Sequence, residues 1–572
     1  VGWYNKLVNE DMERWKEGTA LQLKDYRPLL TPPTLLASEP LRLSGAALTV
    51  EDVVAVARYG RKVRLLSASD SADSSTVAAI EASRRWVDAM IGGAEERVVY
   101  GINTGFGPLA DVVIRRDQAG ELSRNLIVSH AVGVGALLER DVVRASMLIR
   151  ANTLAKGYSG VRLVLLNTIL AMLNAGVHPL VPGYGSVGAS GDLAPLSHLA
   201  LPLLKHPVGD EEELTGYVDF EPHWLAGEAG SGAISGARGM ALAGIARLDL
   251  GAKEGLALNN GTAVSTALAS LALYDAEKLL AQSEVGYAIS LEAVRGYRDA
   301  LDERIHAARN HPTQIACAAR LRALVQGSEL VRDGRDFGSL AHDLPQDAYS
   351  FRAAPQVLGA VAASLGHVRS VVAAELNATT DNPLIFAEGE AAALSGGNFH
   401  GQPIAFAADF LSIAACEIAS IAERRAARLL DPRYSRGLPA MLTEGSGLQS
   451  GYMMVQYSAA ALVSANKTLA HPDSVDSIPT GANQEDHVSM STNAAQHARQ
   501  IVENSTNVVA CEIVCAAQAL DFRLKQGRAG VGTTAAHRCI RARLPHLTAE
   551  RNPSRDIATV AAMLRAGDLL PD

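Results

Sequence analysis

The run DHVSMSTNAAQHARQIVENSTNVVACEIVCAAQALDFRL, Asp486 to Leu524, is rich in alanine and holds no proline or glycine. Read as one helix, it would extend on the order of 55 Å at 1.5 Å per residue. Leu250 to Gln282, Pro355 to Asn377 and Gln402 to Leu430 are likewise long, alanine-rich and nearly free of proline. Several helices of this length with small side chains pack closely side by side, which predicts an extended bundle. Strand signals are short and sparse, and no period of about 20 to 50 residues recurs, which excludes a solenoid. The fold class is therefore mainly α: a long central helical bundle with an N-terminal mixed, mostly helical domain.

Working outward, Pro28, Pro32, Pro33 and Pro40 make the first stretch an irregular extension. Thr49 and Asp52 ahead of Val53, Val54 and Val56 read as the capped start of an amphipathic helix. Leu122 to Leu138 and Asp141 to Ala155 carry helical periodicity. The expected division is an extension over 1–42, an N-terminal domain over 43–240, the long-helix bundle over 241–530 and a C-terminal helical segment over 531–572. The 572 residues, 48% hydrophobic and 20% charged, suit a large globular core and exclude a disordered chain. A net charge of −9 gives no footprint for nucleic acid. Cys511 and Cys515, four apart in a helical pattern, read as buried free thiols, so a reducing cytoplasm is expected. Val1 to Lys16 has no apolar core of a secretory leader, and no uninterrupted apolar run reaches membrane-spanning length.

The most unusual local sequence is Pro182-Gly-Tyr-Gly-Ser-Val-Gly-Ala-Ser-Gly-Asp192. Gly183, Gly185 and Gly188 satisfy a dinucleotide-loop pattern, but that loop needs a strand before it and a helix opening on its third glycine. Pro179 and Pro182 interrupt a strand, and Pro195 falls where the helix would run. A merely flexible loop fits poorly between two apolar stretches. A third reading is chemical. If the backbone bends so that the Gly191 nitrogen meets the Ala189 carbonyl carbon, a five-membered ring closes with loss of water. Ser190 then loses its hydroxyl as a second water and leaves a methylidene group conjugated to the ring. Glycine at 191 removes the Cβ that would obstruct the attack. The product is a carbon electrophile, which no ordinary side chain supplies.

Gly185-Ser-Val-Gly-Ala-Ser-Gly-Asp-Leu-Ala-Pro-Leu-Ser-His198 resembles the signature of the aromatic amino-acid ammonia-lyases and aminomutases. Tyr100-Gly-Ile-Asn-Thr-Gly-Phe-Gly107, Asn260-Gly-Thr262, Gln346-Asp-Ala-Tyr-Ser-Phe-Arg352, Gly396-Gly-Asn-Phe-His400 and Asn483-Gln-Glu-Asp-His-Val-Ser489 follow in that family's order. The resemblance runs from about Leu43 to Leu524. It implies a 4-methylideneimidazole-5-one (MIO) group formed autocatalytically from Ala189, Ser190 and Gly191, with no metal and no diffusible cofactor. A homotetramer whose active sites draw on several subunits is implied as well, acting on a small aromatic amino acid.

Carried over residue by residue, Tyr100 matches the base that removes a β-hydrogen, and its glycines suit a lid. Arg352 matches a carboxylate-binding fork. Asn260, Gln346 and Tyr349 match the polar lining, and Phe399 matches the phenylalanine beside the prosthetic group. Ser129 and His130 match the pair facing the substrate ring. Ser-His is similar to histidine lyases, although some tyrosine lyases carry it too. Glu485 discriminates better: histidine lyases have glutamate there, whereas phenylalanine and tyrosine lyases usually have glutamine. A closed-site carboxylate needs a cationic or donor partner, which a histidine substrate supplies. Asn259 and Ala348 depart from the common leucine and proline of the pattern. Asp192 has two readings, a helper in cyclisation and an N-cap for the segment that follows. The resemblance thus implies elimination of ammonia from L-histidine to urocanate, with a tyrosine or phenylalanine ammonia-lyase or a 2,3-aminomutase as alternatives.

Overall fold

Thr49 opens the first helix among the described residues with a reciprocal cap: its hydroxyl accepts the Asp52 backbone N–H, and the Asp52 carboxylate accepts that of Thr49. The structure, a computed structural model, describes residues 39–66, 75–93, 98–220, 233–340, 343–388 and 392–570. All but the end of the expected 1–42 extension lies outside the described residues. The helices that matter below are α1 (Val50–Tyr59), α2 (Ala119–His130), α3 (Arg140–Ala155), α4 (Leu193–Ala200) and α5 (Glu254–Asn259). Long ones follow: α6 (Ala263–Ala293), α7 (Ala354–Leu376), α8 (Gln402–Leu430), α9 (Met453–Leu469) and α10 (Ser491–Arg523). The chain is mainly α, as its sequence predicts. The sheets among the described residues have two or three short strands each.

Helix α6 is the axis of the bundle. All of its residues except Asp275 and Glu277 are buried, so it is enclosed all round rather than amphipathic. Helix α10 packs along both α6 and α8, and α7 closes the other side of α8. One contiguous buried cluster runs from Leu43 to Leu570. Cys511 and Cys515 are buried on α10, and burial pushes the Cys511 thiol up to about 12, which makes it inert.

Four expectations need correction. The periodic stretch Leu122 to Leu138 leaves the helix at His130, because Gly133 and Gly135 break it. Val134–Leu137 then pairs antiparallel with Pro182–Tyr184. Gly135 (φ +87°) lies against the Tyr184 ring, leaving no space for a Cβ. The stretch Leu250 to Gln282 is broken at Asn260–Thr262, where Gly261 (φ +144°) presses against the Thr380 carbonyl. The run from Asp486 becomes helical only at Ser491, because the Met490 N–H goes to the Val187 carbonyl instead of to its own helix. Short strands do precede and open the glycine-rich segment, Val177–Pro179 and Pro182–Tyr184, with each proline at a strand end where no ladder donor is needed. Pro195 sits in the first turn of α4, where it costs no intrahelical bond.

By length and composition alone, α7 and α8 are apolar enough to cross a membrane, which the reading of uninterrupted runs missed. Two-thirds of the α8 window is buried in this chain, as in a core helix, against one-third for α7.

Candidate active site

The segment from Gly185 to Asp192 is fixed on every side by backbone and hydroxyl donors. The Gly188 carbonyl accepts from the Gly401 N–H (3.0 Å) and the Ser489 hydroxyl (2.8 Å). The Ser190 carbonyl accepts from the Asn260 side-chain amide at 2.9 Å. The Asp192 N–H donates to the Gly261 carbonyl at 2.8 Å. Gly191 has φ +73°, and a Cβ there would overlap the Gly261 carbonyl. A Cβ on Gly188 would likewise lie 2.5 Å from the Ser491 hydroxyl. Ala189 is buried against Val488 and Met490. Only glycine fits at 188 and 191, and only a small residue at 189, as ring closure through Ala189, Ser190 and Gly191 requires.

The same loop is where four helices begin. α4 starts directly after Asp192, α8 directly after Gly401, and α10 at Ser491. Asp192 is the anchor of the fourth. One carboxylate oxygen accepts the Val264 and Ser265 N–H groups, both at 2.9 Å, at the start of α6. The other accepts the Thr492 hydroxyl (2.6 Å) and the Ser186 hydroxyl (3.1 Å). The cap expected for the following segment is therefore made elsewhere: Asp192 gives α4 no side-chain bond and caps α6 instead. Full burial raises its proton affinity above the usual carboxylate range, against the pull of its hydroxyl and N–H donors. The positive ends of the helix dipoles meet at the loop, an environment that favours negative charge arriving there.

Around this loop one chain gathers much of the predicted set. Tyr100 stands edge-on to Phe106, and its phenol oxygen accepts the Gly107 N–H at 3.3 Å. Glu485 lies beside Gly107, with its carboxylate 3.9 Å from where a Cβ would stand. His400 stacks on His487 at 5.6 Å, which joins the Phe399 loop to the Glu485 loop. Ser129 and His130 end α2 three residues before Gly133, and Gly133 packs against Gly185 and donates its N–H to His198. Burial lowers the proton affinity of His130, whose ring contacts the Ser129 hydroxyl at 3.0 Å. The Oδ1 atoms of Asn259 and Asn260 and the hydroxyl of Ser491 are buried without a partner among the described residues, so the site retains unspent polar capacity. Asn259, the departure noted above, turns its amide to Ser197 at 3.1 Å.

Gln346, Tyr349 and Arg352 are not here. The Tyr287 hydroxyl, near the far end of α6, donates to the Phe351 carbonyl, and Tyr297 donates its N–H to Asp347. Ala263 to Tyr287 spans about 36 Å of helix, so this trio sits at the opposite end of the bundle. Tyr349 is 71% exposed with the Arg352 guanidinium over its ring, and Gln346 borders a cavity of about 260 Å³ with Asp347, Arg433 and Arg436. Ser186, Ser489 and Thr492, which hold the loop, were not singled out from the sequence. Their signal was the cluster of small hydroxyl residues just ahead of a periodic run.

The profile of the family described as aromatic amino acid lyase matches residues 48–542. The chain belongs to the aromatic amino acid lyase family. This lyase is 46% identical over 530 residues to a histidine ammonia-lyase of Alkaliphilus oremlandii, covering 93% of this chain and 97% of that one. It is 48% identical over 527 residues to one of Shouchella clausii, covering 92% and 98%. Among solved structures, histidine ammonia-lyase from Trypanosoma cruzi aligns with TM-score 0.81 at 37% identity, covering 93% of this chain and 94% of that one. Tyrosine aminomutase from Streptomyces globisporus aligns with TM-score 0.84 at 36% identity, covering 93% and 98%.

Proposed function

We infer that this lyase eliminates ammonia from L-histidine to give urocanate, with an MIO group made from Ala189, Ser190 and Gly191. The observation that carries the reading is the clamp on those three residues, with Asn260 on the Ser190 carbonyl and Gly191 flush against Gly261. When formed, the MIO group supplies an electrophile for a substrate whose ammonia is otherwise a poor leaving group. Asn260 stays hydrogen-bonded to the oxygen where negative charge collects, and the helix ends reinforce it. Tyr100, held on its glycine loop, is the group that takes the β-hydrogen. Glu485, beside that loop, faces the imidazole or ammonium of a histidine substrate, and His130 and Ser129 border the ring. Phe399 supplies apolar cover.

Arg352, Tyr349 and Gln346 serve the substrate carboxylate from a second copy of the chain. Two features favour such an assembly: the distance along α6, and the half-exposed Phe406, Phe410 and Ile413 on α8. A reducing, cytoplasmic setting suits five cysteines that are all free thiols.

The test is a substrate panel. Purified protein is given histidine, tyrosine and phenylalanine, and the conjugated acid is followed by absorbance. Histidine is expected to turn over fastest, and Glu485→Gln is expected to lose that preference. Unchanged preference in Glu485→Gln would remove the argument for histidine, and a β-amino-acid product would assign an aminomutase. Intact mass should read two waters below the sequence mass, and Ser190→Ala should abolish most of that loss.

A further inference from the structure

Arg150, on α3, is fully buried, and among the described residues no carboxylate lies within 4 Å of it. Asp381, one of the acids that attract it, is already held by Lys253, whose ammonium sits 2.9 Å from both carboxylate oxygens. Asp381 and Asp192 attract the guanidinium without touching it, and a buried guanidinium lacking a direct ion pair is expensive, so an apolar side chain would fill the space at lower cost. What Arg150 does instead is grip two carbonyls. Nε and Nη2 donate to Ala257 in α5, and Nη1 donates to Thr380 in the loop after α7.

Against the Thr380 carbonyl and the guanidinium that holds it lies Gly261. A Cβ on it would stand 2.6 Å from Arg150 Nη1 and would overlap the Thr380 carbonyl, while its opposite side carries the carbonyl bonded to Asp192 and facing Gly191. Thr262, the next residue, is fixed in turn by a hydroxyl donation to the half-buried Glu375 carboxylate. Gly261 is therefore wedged between a guanidinium-held floor and the backbone of the ring-forming loop.

We propose that Arg150 is a positioning residue for formation of the prosthetic group: by holding the Ala257 and Thr380 carbonyls it keeps Gly261 pressed on Gly191, so that the Gly191 nitrogen stays against the Ala189 carbonyl carbon. The step it serves balances as follows. The Gly191 N to Ala189 C bond forms, and the Ala189 oxygen departs as water with the protons of the Gly191 and Ser190 nitrogens, leaving a carbon–nitrogen double bond. Ser190 then loses its Cα hydrogen and its hydroxyl as the second water. No oxidant or co-reactant is needed. The inference rests on the MIO reading above.

The experiment uses the full chain. Arg150→Lys, which keeps the charge but loses the fork, and Arg150→Met, which loses both, are purified from the soluble fraction beside wild type. Leu429→Ala, a core truncation at the far end of α8, controls for general destabilisation. Intact mass gives the closed fraction, and thermal melting gives the fold. The expected result is folded Arg150→Met with at least a tenfold rise in the chain two waters too heavy, Arg150→Lys between it and wild type, and Leu429→Ala closed like wild type. Full closure in both Arg150 variants overturns the proposal. So does an equal defect in Leu429→Ala, or a failure of both Arg150 variants to fold, either of which makes Arg150 a residue of the fold alone. Wild type showing no loss of two waters would instead sink the MIO reading itself.

Discussion

At the scale of single residues, the site is a set of short backbone contacts that tolerate no side chain. Gly191 and Gly261 meet at the carbonyl of one and the missing Cβ of the other. Asn260 reaches across that meeting point to the Ser190 carbonyl. A fixed donor on an oxygen that gains charge is worth about 10²–10³ in rate when removed. Asn260→Ala is therefore expected to retain the two-water mass loss while kcat falls by that order, measured as urocanate formation at saturating histidine. Much of this was legible in the sequence, because the ring chemistry dictates an unobstructed nitrogen, a β-hydroxyl and a small neighbour in consecutive positions. Arg150 and Thr492 were not legible, since a buried arginine and a helix-start threonine carry no local pattern that points at a loop far away in the chain.

At the scale of elements, the long runs are helical over most of their length, but one is interrupted at Asn260–Thr262 and others stop or start away from the expected ends. Leu250 to Gln282 and Asp486 to Leu524 look continuous because periodicity says nothing about where a backbone N–H is wanted elsewhere. Asn260–Thr262 and Asp486–Met490 leave the helix because their groups hold the loop. The strand Val177–Pro179 before that loop offers a pH test. The Arg144 guanidinium donates to His178 Nε2 at 2.9 Å, and burial together with that charge lowers the imidazole to about 3. The unfolded histidine takes up a proton near pH 6.5 and the folded one refuses it until about pH 3. Stability is thus present above about pH 6.5 and falls as pH drops through that window, by up to about 1.4 kcal/mol per pH unit. In His178→Gln the slope of the denaturation midpoint between pH 6.5 and 5 should be shallower than in wild type; an identical slope would reject the assignment.

At the scale of the whole molecule, α6 sets the geometry. It runs from the Asp192 cap at one end to the Tyr287–Phe351 contact near the other, so one copy owns the ring-forming loop and the Arg352 fork but never in the same place. The order of motifs along the sequence was legible, and their separation was not, because motif order carries no information on which end of a long helix each one decorates. Ser190→Ala and Arg352→Ala should each be inactive alone. Co-expressed, they should regain activity toward about a quarter of wild type, the share of sites that random mixing leaves with both groups intact. Absence of recovery in mixed assemblies, verified by native mass, would place the whole site in one chain.

The length of α6 also separates two clocks in the birth of the enzyme. The described residues that grip 186–192 come from the same polypeptide as the loop, so on the proposed ring closure the loss of water needs no encounter and should proceed at a rate indifferent to dilution. On the proposed shared site, turnover waits for a meeting between copies. Refolding at falling concentration should leave the mass change on schedule while activity lags ever further behind, yielding a chemically complete but idle protomer.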